Sequence, residues 1–197
     1  MTGSPNATMM MGSGTLANEC VAATLASNRP KRPGLVLVNG EFGARLAEQA
    51  RRWGLEFAQL RWEWGEPWDM DRVDAAISTL DEGAWVWGVH GETSTGVLNP
   101  IEQLIALARR HGTRVCLDCV STLGSVPINL DGVFLATSTS GKCLGSVAGL
   151  AILLGDTDGD TDKVRKTATD RVPLALDARA AFESRGPRFT ISSSLIG

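Results

Sequence analysis

Short apolar runs alternate with amphipathic stretches along most of the chain. Residues 8–11, 34–38, 56–60, 84–89, 114–117, 132–136 and 149–154 read as strands. Between them, 16–26, 42–53, 70–80 and 100–111 carry helix-like patterns, with a further one at 174–184. In the fourth, Ile101, Leu104, Ile105 and Ala108 recur at helical spacing. Pro100 suits a first helical turn and Asn99 is a suitable cap before it. The strands are continuous apolar runs, as strands buried on both faces should be. The alternation therefore predicts an α/β fold, a mostly parallel seven-stranded sheet sandwiched by helices. No internal repeat is apparent. Residues 155–162 (GDTDGDTD) read as an exposed polar loop; they lack the ligand spacing and closing glutamate of a calcium loop.

Composition narrows the class. The 197 residues are 43% hydrophobic and 21% charged, which fits one folded, soluble domain. The net charge of −3 gives no broad basic surface, so nucleic-acid binding is not expected. No apolar stretch reaches the length of a membrane span and the polar N-terminus lacks a signal-peptide pattern, so a cytoplasmic protein with no membrane partner is expected. Cys116 and Cys119 have C-x-x-C spacing, but no second pair or histidines accompany them. Buried reduced thiols are the better reading, and no metal site is assigned. The six tryptophans read as packing, since no basic groove accompanies them.

Three places carry chemistry. Gly12-Ser13-Gly14-Thr15 follows an apolar run and opens a helix. Its amides and hydroxyls can converge on a phosphate at a helix N-terminus, although a cap of small residues explains the motif equally well. Asp118 ends the run Val115-Cys116-Leu117, where ligands of open α/β sheets bind. It can pair with a protonated ring nitrogen or serve as a turn residue. Lys142, in Ser138-Thr139-Ser140-Gly141-Lys142, follows a strand among small residues. Burial there would favour the neutral amine that attacks an aldehyde; an exposed loop lysine is the alternative. Taken together, a phosphate cradle, an acid for a pyridine nitrogen and a lysine for an aldehyde are the three handles of pyridoxal 5'-phosphate.

GSGTLANE, VNGEFG, HGETSTGVLNP, LDCVSTLGSVP and TSGKCLGSVAGLAIL resemble, in order, consecutive blocks of the class V aminotransferases, pyridoxal-phosphate enzymes of fold type I. Nearest are the 2-aminoethylphosphonate–pyruvate transaminases and the alanine–glyoxylate or serine–pyruvate aminotransferases. The resemblance implies that Ser13, Gly14 and Thr15 hold the cofactor phosphate and that Phe42 stacks on the pyridine ring. It implies that Thr93 contacts the ring hydroxyl, Asp118 the ring nitrogen, and Val120 the ring face away from Phe42. Lys142 would form the Schiff base and carry protons, and Thr190 would reach the phosphate of a neighbouring subunit, which implies a dimer. Without the resemblance Phe42 reads as core packing. His90 reads as a residue that orients the Gly91-Glu92-Thr93 turn, and Glu92 as a local cap or pair.

The implied activity is transamination between a small amino compound and a keto acid. Family members are about twice as long. Residues 1–197 are therefore expected to form the cofactor-binding large domain, incomplete at both ends, without the N-terminal segment and the C-terminal small domain. The small domain normally supplies the arginine for the substrate carboxylate, and Arg171, Arg179, Arg185 and Arg188 do not match that position. The alternatives are a non-catalytic fragment, a split subunit needing a partner chain, or a lyase of the same fold type. Cys143, directly after Lys142, is badly placed for a desulfurase and reads as packing.

Overall fold

The computed structural model describes residues 6–28, 30–155 and 172–184. Seven strands form one sheet: β1 (Asn6–Met11), β2 (Gly34–Val38), β3 (Phe57–Arg61), β4 (Trp85–Val89), β7 (Arg114–Asp118), β8 (Val133–Thr139) and β9 (Leu150–Gly155). A two-stranded ribbon, β5 (Gly91–Glu92) and β6 (Val97–Leu98), lies outside it. The sheet order is β1-β9-β8-β7-β4-β2-β3. Neighbours from β3 to β8 pair in parallel, and only β9 runs antiparallel to its neighbours β8 and β1.

The helices α1 (Gly14–Ser27), α2 (Glu41–Arg52), α3 (Met70–Ile77), α4 (Ile101–Arg110) and α5 (Ala178–Glu183) cover the two faces. Period-two alternation decides which side chains meet which helices. Val36, Val38, Trp85 and Trp87 pack with Val21 and Leu25 of α1 and Leu46 of α2. Leu35, Leu37, Val86 and Leu117 pack instead with Ile77 of α3 and Leu104 of α4. Strands β2, β4 and β8 are buried throughout, as continuous apolar runs predict. The two edges depart from that expectation. β3 is only partly covered, and β1 alternates, leaving Met9 45% and Met11 39% exposed.

Other differences have local causes. Asn99 does not cap α4, because its side chain donates to Val89 O and pairs with Asn39. Pro100 occupies the cap position instead. The pattern at 174–184 resolves into a 3₁₀ turn at Leu174–Leu176 and the short α5, because Asp177 caps α5 by accepting from the Ala180 amide. Of the tryptophans, Trp62, Trp68, Trp85 and Trp87 are buried, whereas Trp64 is 66% exposed and does not pack into the core. The 155–162 loop lies, apart from Gly155, outside the described residues.

Candidate active site

The parallel strands β2, β4, β7 and β8 all end on one side of the sheet, where the N-termini of α1 and α2 also lie. A cavity of about 270 Å³ opens there. Gly14, Thr15, Phe42, Thr93, Asp118, Val120 and Lys142, which are far apart in sequence, all line it. Ser13 caps α1 directly before Gly14, with its own side chain not engaged in the cap. Thr190 lies outside the described residues.

Asp118 forms the buried end of the cavity and is 5% exposed. Its Oδ1 accepts from the Val120 amide at 2.9 Å and its Oδ2 from Asn18 Nδ2 at 2.7 Å. Burial pushes the carboxyl above its ordinary value, the Val120 and Asn18 hydrogen bonds pull it back, and the charge of Glu92 adds to the rise. A cationic partner in the cavity would offset this desolvation.

The two helix N-termini at the cavity are treated differently. On α2, Ser94 Oγ accepts from the Glu41 amide at 3.0 Å. Glu92 Oε1 accepts from the Phe42 amide at 3.3 Å, and Oε2 from the Gly43 amide at 2.9 Å. Glu92, fully buried, thus caps a helix 49 residues earlier in the chain, so its role as a cap is long-range rather than local. Gly40 makes room for it, since a Cβ there would fall 2.4 Å from Glu92 Cγ. On α1 the Ser13 side chain makes no capping hydrogen bond and no acidic residue stands in the first turn. That N-terminus keeps its donors and its dipole for an anion. Gly14 lets it approach the wall of the cavity, because a Cβ would fall 2.5 Å from Val120 Cγ2.

Lys142 sits in the turn after β8, held by Ser140 Oγ donating to Val147 O at 2.6 Å and the Gly145 amide donating to Lys142 O at 2.9 Å. Residues 141–148 are exposed, so Lys142 is not buried as the small-residue context suggests. Its neighbour Cys143 is also exposed rather than packed. His90 is buried, with Nδ1 3.0 Å from Thr122 Oγ1, and burial lowers its pKa. Its backbone amide donates to Asp118 O and its carbonyl accepts from Asn99, so it ties the turn to β7.

Asn18, Arg45, Gln49 and Ser121 also line the cavity and were not singled out from the sequence. The signal for the first three was helical spacing. Asn18 lies four residues after Gly14, and Arg45 and Gln49 lie three and seven after Phe42, on the same helix faces. Arg45 places its guanidinium carbon 5.1 Å from the centre of the Phe42 ring. Among the described residues, no group of three or more His, Cys, Asp or Glu is arranged to hold a metal ion. No helix among them is long and apolar enough to cross a membrane.

The family model "Aminotransferase class-V" matches residues 2–166. A 2-aminoethylphosphonate–pyruvate transaminase of Burkholderia thailandensis is 37% identical over 149 residues, which cover 74% of this chain and 39% of that protein. The chain therefore spans about two fifths of the length of the curated relatives it matches. The crystal structure of an alanine–glyoxylate aminotransferase from Nostoc sp. superposes with a TM-score of 0.77 at 34% identity, covering 88% of this chain and 46% of that one. A pyridoxamine–pyruvate aminotransferase from Mesorhizobium loti shares the fold with a TM-score of 0.83 at 23% identity, over 96% of this chain and 49% of that one. The sheet is that of the fold type I aminotransferases, and the chain belongs to the class V aminotransferase family.

Proposed function

We propose that this chain forms the pyridoxal-phosphate-binding core of an aminotransferase that moves an amino group between a small amino compound and a keto acid. The observation that carries the reading is the convergence of Gly14, Asp118 and Lys142 on one cavity, each from a different element. The residues fit the cofactor. Asp118 is a buried carboxylate that a cation would stabilise, and the Ser13 side chain does not cap the α1 N-terminus. The aromatic Phe42 and aliphatic Val120 supply apolar walls.

When bound, pyridoxal phosphate supplies an aldehyde for amines and a ring that accepts electrons as a substrate proton leaves. The chain's residues do the rest. The amides of Ser13, Gly14 and Thr15 bind the phosphate. Asp118 would pair with a protonated ring nitrogen, Thr93 would hold the ring hydroxyl, and Phe42 and Val120 would keep water from the ring. The Lys142 amine would hold the aldehyde carbon of the cofactor and is the base placed to move a proton in the cavity. Thr190 would complete the phosphate site of a neighbouring subunit.

A homodimer, or a complementing chain, belongs to the same reading, as does a cytoplasmic setting. Exposed Leu144 and Val147 beside Lys142, and Leu98 on the ribbon, support an assembly that covers this side of the cavity. Residues 1–197 then act as the large domain of the working enzyme.

The test is an absorbance spectrum of the purified chain with pyridoxal phosphate, before and after borohydride, followed by peptide mapping. A visible band that borohydride converts to an adduct on Lys142, absent from Lys142→Ala, supports the reading. No adduct, or an adduct on another lysine, overturns it.

A further inference from the structure

Asn18 had no assigned role in the sequence pattern, yet it is buried and donates to the carboxylate at the buried end of the cavity. Both polar atoms of its amide have partners. Nδ2 donates to Asp118 Oδ2 at 2.7 Å, and Oδ1 accepts from Thr137 Oγ1 at 2.7 Å. Asn18 lies on α1, Asp118 ends β7 and Thr137 lies within β8, so the chain of bonds joins three elements. Their exposures are 6%, 5% and 0%, so water does not compete with either bond.

The order of donors fixes the amide. A hydroxyl has one hydrogen, and the Thr137 hydroxyl lies 2.7 Å from Asn18 Oδ1 but 3.4 Å from Leu117 O. It therefore donates to Asn18, which leaves the Asn18 NH₂ to face Asp118. A flipped amide would set its oxygen against the carboxylate and its NH₂ against the hydroxyl. The Asp118 carboxylate, which only accepts, thus selects this orientation, and the Thr137 hydroxyl secures it by donating to Asn18 Oδ1.

Resting on the cofactor reading above, we propose that Thr137 and Asn18 form a positioning relay that keeps Asp118 ionised beneath the ring nitrogen of the bound cofactor. A proton shared between a carboxylate and a pyridine nitrogen goes to the stronger base. Burial and the nearby Glu92 both make Asp118 a stronger base than usual, which by itself would draw the proton off the ring. The Asn18 amide and the Val120 amide oppose that by stabilising the carboxylate. The other charged groups lining the cavity are Glu19 on α1, Arg45, Glu48 and Arg52 on α2, and Lys142 after β8. With both oxygens of Asp118 held by donors, the ring keeps its proton and remains an electron sink. Asn18 is a positioning residue here, since it acts through Asp118.

The experiment uses the full chain loaded with pyridoxal phosphate labelled with ¹⁵N in the ring, in wild type, Asn18→Leu and Thr137→Val. The ring-nitrogen NMR shift distinguishes pyridinium from neutral pyridine, and borohydride mapping reports whether the cofactor is held on Lys142. The expected result is that all three give the Lys142 adduct, while Asn18→Leu moves the ring shift toward neutral pyridine. Thr137→Val should move it the same way by a smaller amount, because Asn18 Oδ1 then loses its donor and the amide is held less firmly against Asp118. In the cofactor-free chain, the ¹³C carboxyl signal of Asp118 should titrate at higher pH in both variants than in wild type. Unchanged ring and carboxyl signals in variants that still form the adduct overturn the relay. If Asn18→Leu fails to fold, Thr137→Val decides alone by the same two signals. Failure of wild type to form the adduct overturns the cofactor reading instead, and the Asp118 titration in the cofactor-free chain still tests the hydrogen-bond relay.

Discussion

The Glu92 carboxylate accepts from the Gly43 amide at 2.9 Å and so fastens the turn after β4 to the N-terminus of α2. Ser94 and the other Glu92 oxygen take the two preceding amides of the helix. Phe42 and Thr93, both lining the cavity, are thereby held by a single fully buried side chain and its neighbour.

Glu92→Gln tests this clamp. The substituted amide keeps one acceptor oxygen but turns an NH₂ toward backbone donors, leaving at least one buried donor unsatisfied. The expected cost is about 1–3 kcal/mol of stability, read by urea unfolding of the cofactor-free chain. Because Phe42 sits in the clamped first turn of α2, pyridoxal-phosphate affinity should fall as well. Stability and affinity both equal to wild type would show that the clamp contributes nothing.

Gly14→Ala probes the approach of α1 to the cavity wall. The new methyl would fall 2.5 Å from Val120 Cγ2, inside any real contact, so Val120 or the helix must move. Overpacking of this kind costs about 1–3 kcal/mol. The larger effect is expected on cofactor binding, since both residues line the same cavity. Pairing the change with Val120→Ala should restore part of the loss. Equilibrium dialysis of pyridoxal phosphate against the single and double variants checks this, and equal losses in both would contradict the steric account.

Much of this architecture is legible from the chain. The central strands β2, β4, β7 and β8 are short apolar runs because both faces are buried, and their boundaries differ from the pattern by a few residues at most. The edges were misjudged, because Met9 and Met11 are apolar yet point away from the core, and composition does not record which strand is outermost. At the site, glycine, aspartate and lysine after predicted strands were visible as motifs. Asn18 was not, since a buried asparagine inside a helix gains its meaning only from Asp118, 100 residues away. Glu92 was legible as a cap, but the helix it caps, 49 residues earlier, was not, for the same reason. Asn99 stood directly before a helix, the usual place for a cap, but was taken by Asn39 and the Val89 carbonyl.

Thiol chemistry offers a test of burial that does not depend on the cofactor. Cys20, Cys116 and Cys119 are buried and Cys143 is exposed. Burial pushes the Cys20 thiol up to about 12, and burial together with the charge of Asp118 pushes Cys119 up as well. Thiolate is the reacting form, so both should be inert in the native state. A disulfide-exchange reagent at neutral pH should label Cys143 alone, with the other three reacting only after denaturation. Rapid labelling of Cys119 would mean that the core packed beneath α3 and α4 opens. Pyridoxal phosphate should slow labelling of Cys143, because the adjacent Lys142 lies on the cavity.

The last expectation concerns pH. An exposed or unfolded aspartate titrates at about 3.9. In the native chain burial raises Asp118 above that, despite the Val120 and Asn18 hydrogen bonds. Between the two values the native state binds more protons than the unfolded one, so stability falls as pH rises through that window. The contribution of Asp118 is thus most favourable below the unfolded value and is lost above the native one. Asp118→Asn, which cannot ionise, lacks this loss. The stability of the variant relative to wild type should therefore increase as pH rises through the window, measured by urea unfolding of both cofactor-free chains from about pH 3 to 8. With pyridoxal phosphate bound, the cationic ring favours the carboxylate, and wild type should gain on the variant at neutral pH. A difference between the two chains that stays constant with pH would mean that burial does not raise the Asp118 carboxyl in the folded chain.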